Sequence, residues 1–193
     1  APYDTPEKAA RHPVDAVRAA VAKGADGDIR VMDGVYPLDG ELAITNGVTL
    51  MSLADDPERV AFTLGTNGCL SVGEPSREGR DGSRGGLAGV TVRDGTNVSV
   101  AVRVWHGLCS NVTVRAVSGT HSWQNHGHGC ALTVGDPYSR ASEALAVDCR
   151  VLDCRFVSSG SGWWMGNSAA VWIRKHGALD RCRVQGNVTG GSV

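Results

Sequence analysis

Apolar and polar positions along the chain follow two different periods. In residues 13–23, Val14, Val17 and Val21 stand at i, i+3 and i+7, with Pro13 in the first turn and Gly24 at the end. That spacing predicts an amphipathic helix over residues 12–24. Beyond it the helical period disappears, and short alternating runs take over. Ile29-Arg30-Val31, Leu42-Ala43-Ile44 and Val48-Thr49-Leu50 each read as a strand with alternate residues on opposite faces.

The runs repeat. Gly89-Val90-Thr91-Val92-Arg93 returns as Asn111-Val112-Thr113-Val114-Arg115, and aligns again with Asp153-Cys154-Arg155-Phe156-Val157 and Arg181-Cys182-Arg183-Val184-Gln185. A second strand precedes each copy: Leu70-Ser71-Val72, Val102-Arg103-Val104, Leu132-Thr133-Val134 and Val171-Trp172-Ile173. Short strands repeating without intervening helices predict an all-β solenoid of about seven stacked coils in one domain, residues 1–193. Alternation then points Val90, Val92, Val112, Val114, Cys154, Phe156, Cys182 and Val184 inward. Thr91, Arg93, Thr113, Arg115, Arg155, Val157, Arg183 and Gln185 point outward, as ladders about 4.8 Å apart.

Composition agrees with that pattern. Of 193 residues 26 are Gly and 25 are Val, which suits many turns and many strands and argues against a helix bundle. The formal net charge of -1 hides an asymmetry, since residues 1–66 hold 11 acidic and 6 basic side chains and the remainder is basic. No apolar run reaches 18 residues, so no membrane span is expected. Nucleic-acid recognition lacks its interleaving of basic and aromatic residues, and no phosphate-binding loop appears. The six cysteines form no CxxC pair, which disfavours a structural zinc site. Cys154 and Cys182, in equivalent inward positions, read as buried thiols, with a disulfide as the alternative. A start at Ala1-Pro2 is consistent with signal-peptide removal or with trimming.

The segment Asp15 to Leu53, with its helix followed by Val31-Met32-Asp33-Gly34-Val35-Tyr36-Pro37-Leu38 and Ile44-Thr45-Asn46-Gly47-Val48-Thr49-Leu50, resembles the N-terminal entry of right-handed parallel β-helix proteins of the pectin-lyase-like superfamily. Leu179-Asp180-Arg181-Cys182-Arg183-Val184-Gln185-Gly186-Asn187 is similar to a repeat of secreted bacterial β-helix proteins. The resemblance implies a right-handed parallel β-helix whose first helix caps the open end of the core. It implies a secreted or cell-surface location, and it spans lyases, hydrolases, epimerases, adhesins and tailspikes. Val184 to Val193 begins another coil without a recognisable cap. The expectation is a chain that continues, or one that associates end to end.

Candidate chemistry concentrates in two loops that the repeat puts on one side. His121, Trp123, Asn125, His126 and His128 lie in the first, and Trp163 and Trp164 in the second. Indole faces take the apolar side of a sugar ring while Asn and His bond its hydroxyls, so this rim has the composition of a saccharide cleft. Two loops that merely shield the core edge would have the same composition. His126 and His128 flank one glycine and are the best metal candidates, without a nearby carboxylate to complete a set. Arg93, Arg115, Arg155 and Arg183 would give one sheet a positive ladder suited to a uronate polymer. Calcium-dependent lyases of the superfamily carry outward acids on that sheet, whereas here Thr and Arg stand there. No cofactor is therefore called for, calcium included.

These residues predict a secreted protein that binds a polysaccharide along its side and could act on acidic glycans. An enzyme, either a polysaccharide lyase or a glycoside hydrolase with Arg155 or His126 moving the proton, is the first alternative. A stacking segment of a larger adhesin or surface fibre is the second.

Overall fold

The structure, a computed structural model, describes residues 10–65, 67–75, 82–121, 129–136, 143–158 and 169–191. Among them is one helix, α1 (Pro13–Ala22), and every other regular element is a strand. His12 caps α1, its Nδ1 accepting from the Val14 amide, and Pro13 needs no partner for the N–H it lacks. Val14 and Val17 are buried and Val21 partly so, as the spacing predicts. The helix packs against the first strands of the fold, β1 (Gly27–Val31), β3 (Glu41–Ile44) and β4 (Val48–Ser52).

The strands form four sheets, all parallel. Sheet 1 contains β1, β4, β7 (Gly85–Ala88), β10 (Gly107–Ser110), β14 (Ala144–Val147) and β18 (Gly177–Asp180). Sheet 2 contains β2 (Gly34–Leu38), β5 (Val60–Leu64), β8 (Thr91–Arg93), β11 (Thr113–Arg115), β15 (Arg150–Leu152) and β19 (Arg183–Gln185). Sheet 3 contains β3, β6 (Cys69–Val72), β9 (Val100–Val104), β13 (Cys130–Val134) and β17 (Ala169–Ile173). Sheet 4 contains β12 (Ser118–His121), β16 (Arg155–Ser158) and β20 (Val188–Gly191). The chain thus visits the sheets in turn and pairs each strand with the corresponding strand of the previous and next circuit. This arrangement is consistent with a β-helix, and six circuits are described rather than about seven.

In-register pairing stacks like on like. Sheet 3 aligns Leu42, Leu70, Val102, Leu132 and Val171 in one row and Ile44, Val72, Val104, Val134 and Ile173 in another, the register that the repeat predicts. Sheet 2 aligns Tyr36, Phe62, Val92, Val114, Val151 and Val184, and sheet 1 aligns Ile29, Leu50, Leu87, Cys109, Ala146 and Leu179. Phe62 and Phe156 are the largest fully buried side chains. Each such aromatic or leucine contributes roughly 1.5–3 kcal/mol by leaving water.

Corners come from backbone in the left-handed region. Asn111, Asp148 and Arg181 stand there with φ of 49°, 53° and 49°, one before each entry into sheet 2. Ala116, Asp153 and Gly186 do the same, with φ of 51°, 53° and 68°, before each entry into sheet 4. Each is followed by an inward residue, so each of the last three circuits carries two five-residue units and not one. Hydrogen bonds from Thr113 to Val90, Arg150 to Val112 and Arg183 to Cys149 define the first inward column as Val90, Val112, Cys149, Cys182. Bonds from Ser118 to Gly95, Arg155 to Val117 and Val188 to Cys154 define the second as Gly95, Val117, Cys154, Asn187.

Three expectations are corrected by this register. The segment equivalent to Asn111–Arg115 is Asp148–Leu152, so Arg155 and Phe156 belong to sheet 4 and not to the sheet of Arg93, Arg115 and Arg183. Cys182 stacks on Cys149, while Cys154 stacks on Asn187, whose Oδ1 accepts from the Cys154 amide and whose Nδ2 donates to the Val151 carbonyl. Thr91 and Thr113 are buried although they leave the core side, because the segment Asp55–Glu58 lies over sheet 2. There the Thr91 hydroxyl donates to the Pro57 carbonyl at 2.6 Å. On the edge strands β17, β19 and β20, Ile173, Val184 and Val188 keep 53%, 48% and 52% of their surface exposed.

Two substitutions test the corner geometry in opposite directions. Ala116→Gly relieves a left-handed alanine and should raise the unfolding free energy by up to about 1 kcal/mol, reversing the usual sign of Ala→Gly. Gly107→Ala, whose Cβ would fall 2.0 Å from the Gly85 carbonyl oxygen, should lower it by about 2–4 kcal/mol. Urea unfolding monitored by circular dichroism reads both.

Candidate functional site

The two loops of the sequence reading leave and re-enter the sheets at paired residues. The first leaves after His121, at the end of β12, and the second after Ser158, at the end of β16, and these two residues are register partners. The chain returns at Cys130 in β13 and Ala169 in β17, which are partners again. Both ends of one loop are therefore fixed one strand spacing, about 4.8 Å, from both ends of the other. Trp123, Asn125, His126, His128, Trp163 and Trp164 lie outside the described residues, and of His121 the strand position is described.

The described surface on either side of these anchors is polar and aromatic. On sheet 4 a cavity of about 240 Å³ is lined by Asn97, Ser118, Gly119, Arg155 and Val157. Its floor depends on Gly119, where a Cβ would lie 1.9 Å from the Val98 carbonyl oxygen and 3.0 Å from the Phe156 ring. Arg155 is exposed and makes no ion pair with a described residue, so its guanidinium is available to a ligand anion or hydroxyl. The Ser118 hydroxyl and the Asn97 amide add donors and acceptors beside it.

On sheet 3, past the anchors, two tryptophans that the sequence reading left aside carry cations on their faces. Arg174 lies 5.6 Å from the Trp172 ring centre and Arg103 lies 6.0 Å from that of Trp105. Trp172 occupies the outward row of Ala43, Ser71, Arg103 and Thr133. Their signal in the sequence was position: Trp172 is the middle, outward residue of the strand Val171-Trp172-Ile173. Arg103 also pairs with Glu41 at 3.7 Å, and Glu41 accepts from the Ser71 hydroxyl.

The arginines divide by sheet. Arg93 and Arg115 are register partners on sheet 2, held by Asp94 at 3.3 Å and Glu58 at 3.4 Å. Arg183 is on the same sheet, two residues out of step with that row and opposite Arg150. Arg155 stands apart on sheet 4, opposite Ser118 and Val188. A single positive ladder through all four does not exist.

All six cysteines are free thiols. Cys109, Cys149 and Cys182 occupy successive circuits, and the Cys149 and Cys109 sulfurs are 3.8 Å apart. The hydrogen bond between these two thiols raises Cys109 and lowers Cys149. Burial pushes Cys69 up to about 12 and Cys130 up to about 11, so both are inert thiols. Among the described residues no group of three or more His, Cys, Asp or Glu side chains is placed to hold a metal ion. His126 and His128 are not among the described residues. Among the described residues no helix is long and apolar enough to cross a membrane.

His106 has a structural task. Its Nε2 accepts from the Arg84 Nε at 3.0 Å, so Nδ1 carries the proton and donates to the Gly82 carbonyl at 2.9 Å. This pins the returning end of the insertion between Gly73 and Gly86 against the corner at Gly107.

No known protein family, curated protein or solved structure matches the chain.

Ion pairing at one corner gives a pH prediction. Arg181 donates from Nε and Nη2 to the Asp148 carboxylate at 2.8 and 2.9 Å and holds it below the usual carboxylate range. A depressed carboxyl contributes stability above its unfolded pKa and loses it as pH falls through the lowered folded value. Asp148→Asn should therefore be less stable than the parent near neutrality. The gap should close as thermal unfolding is repeated at pH values falling through the carboxylate range.

Proposed function

We propose that this chain is a right-handed parallel β-helix, with α1 as its cap, that binds a polysaccharide along its side. The observation that carries the reading is the double pairing of the loop anchors, His121 with Ser158 and Cys130 with Ala169. Anchors paired in that way start and end the two loops side by side, which supports a rim to which His121, Trp123, Asn125, His126, His128, Trp163 and Trp164 would contribute. Ring-stacking tryptophans and hydrogen-bonding amides and imidazoles are what a pyranose chain requires. The Arg155 cavity before the rim and the Trp172–Arg174 pair after it extend the same chemistry. A free guanidinium in that line favours an acidic glycan. Binding of such a ligand fits a secreted or cell-surface protein.

An enzymatic version of this reading uses the same cavity. A lyase takes the proton from C5 of a uronate, the carbon that bears the carboxylate, and the C4–O glycosidic bond breaks as the C4–C5 double bond forms, the leaving oxygen taking up a proton. Arg155 or His126 would move the proton in that version. A structural version, in which the protein is a stacking segment of a surface fibre, would pair through the apolar side chains Ile173, Val184 and Val188, exposed on the edge strands β17, β19 and β20.

The test is retention of the protein on acidic and neutral polysaccharides in affinity electrophoresis. The variants are Trp163→Ala with Trp164→Ala, and Arg155→Gln. Loss of two stacking rings should weaken retention by tenfold or more, and Arg155→Gln should weaken it selectively on acidic polymers. Retention unchanged in both variants overturns the reading. New ultraviolet absorbance from an unsaturated product separates lyase from binder.

A further inference from the structure

The outer face of sheet 2 carries an arrangement of charge that the rim does not use. Its register places Thr91, Thr113, Arg150 and Arg183 in one outward row and Arg93, Arg115, Leu152 and Gln185 in the other. In the second row each arginine has an acid, Asp94 for Arg93 and Glu58 for Arg115. In the first row Arg150 and Arg183 are direct partners on neighbouring parallel strands, both exposed, and neither is ion-paired to a described residue.

The acids that could serve them are committed elsewhere. Asp148, two residues before Arg150, receives both its bonds from Arg181. Asp180, three residues before Arg183, accepts from Arg181 Nη1 at 2.6 Å. Asp153, at the corner after Leu152, is ion-paired with neither arginine. Arg183 has a neutral partner, since one of its Nη2 hydrogens goes to the Gln185 side-chain oxygen. Like charges directly opposite across a strand pair repel. The strand spacing of about 4.8 Å keeps their Cα atoms close, and an anion held between the two guanidiniums relieves the repulsion.

We propose that Arg150 and Arg183 form a binding site for a tetrahedral oxyanion of the sulfate type, bridged between the two guanidiniums. Each guanidinium is a planar fork that donates two parallel N–H bonds to an oxyanion. Two forks one circuit apart offer donors to several oxygens of a single group. The strands set the separation through backbone hydrogen bonds, so the arginines are held together whether or not an anion is present. The site lies on sheet 2, before the corner at Asp153 that leads to Arg155 and the rim, and it does not rest on the carbohydrate reading. The same sulfate chemistry is presented by the free ion and by a sulfated polymer.

Thermal unfolding of the full chain against increasing inorganic sulfate, at ionic strength held constant with chloride, tests the site. The variants are Arg150→Gln, Arg183→Gln and, as a control on the other sheet, Arg30→Gln. The parent and Arg30→Gln should show a saturating rise in Tm. Arg150→Gln and Arg183→Gln should lose it or need about tenfold more sulfate. Without sulfate, Arg150→Gln should melt at the parent temperature or higher, because the repulsion is gone. An equal rise in all four proteins is the general stabilisation by an excluded salt and overturns the proposal. Gel retardation by dextran sulfate separates the two sources. Retardation of the parent that Arg150→Gln abolishes assigns polymer-borne sulfate, and a saturating rise with inorganic sulfate alone assigns the free ion. Absence of both effects in the parent also overturns it.

Discussion

Everything in this protein depends on one constraint, the in-register hydrogen-bonded pairing of each strand with its counterpart in the next circuit. Parallel pairing puts equivalent residues about 4.8 Å apart, so a side chain's neighbours are its own equivalents above and below. An apolar position becomes a stack such as Phe62, Val92, Val114 and Val151, and a polar position becomes a row on the outside. Corners must then superpose as well, which is why Asn111, Asp148 and Arg181 all adopt the same left-handed backbone. Arginine bears that conformation at a cost of about 1–2 kcal/mol, and its bonds to Asp148 and Asp180 offset part of it.

The same constraint explains what the sequence made legible. The helix was readable because its valines recur at helical spacing, and sheet 3 because Leu42, Leu70, Val102, Leu132 and Val171 each head a triplet whose first and third residues are large and aliphatic. The phase of sheets 2 and 4 was not readable. Asp148-Cys149-Arg150 and Asp153-Cys154-Arg155 are identical tripeptides five residues apart, so either could follow Asn111-Val112-Thr113 by pattern. Length decides between them only when both five-residue units of a circuit are counted, and the unit Ala116–Thr120 disguises itself with Gly119 where the next circuit has Phe156. Gly119 is small because the Val98 carbonyl and the Phe156 ring fill the space of a side chain. Burial of Thr91 and Thr113 was likewise hidden, since it comes from Asp55–Glu58, a segment remote in sequence.

For the candidate site, pairing fixes the anchors of the two loops: His121 is partnered with Ser158 and Cys130 with Ala169. Sequence similarity between the loops is absent, so only the flanking strands could reveal the relation. The tryptophans of sheet 3 follow from the same rule, because the outward row of Arg103 and Thr133 ends at Trp172. Rows also distribute charge. Where a row meets an acid, as Arg115 meets Glu58, it is neutralised, and where it does not, as at Arg150 and Arg183, the field is left for a ligand.

The register of sheets 2 and 4 is therefore the claim on which the placement of the arginines and of the loops rests. Interstrand nuclear Overhauser contacts in a uniformly labelled sample measure it directly. The account predicts contacts linking Val114 to Val151 and Val151 to Val184, with Arg155 beside Ser118 and Val188. Contacts linking Val114 to Phe156 and Phe156 to Val184 would put β16 in the place of β15, a shift of one five-residue unit, and contradict it.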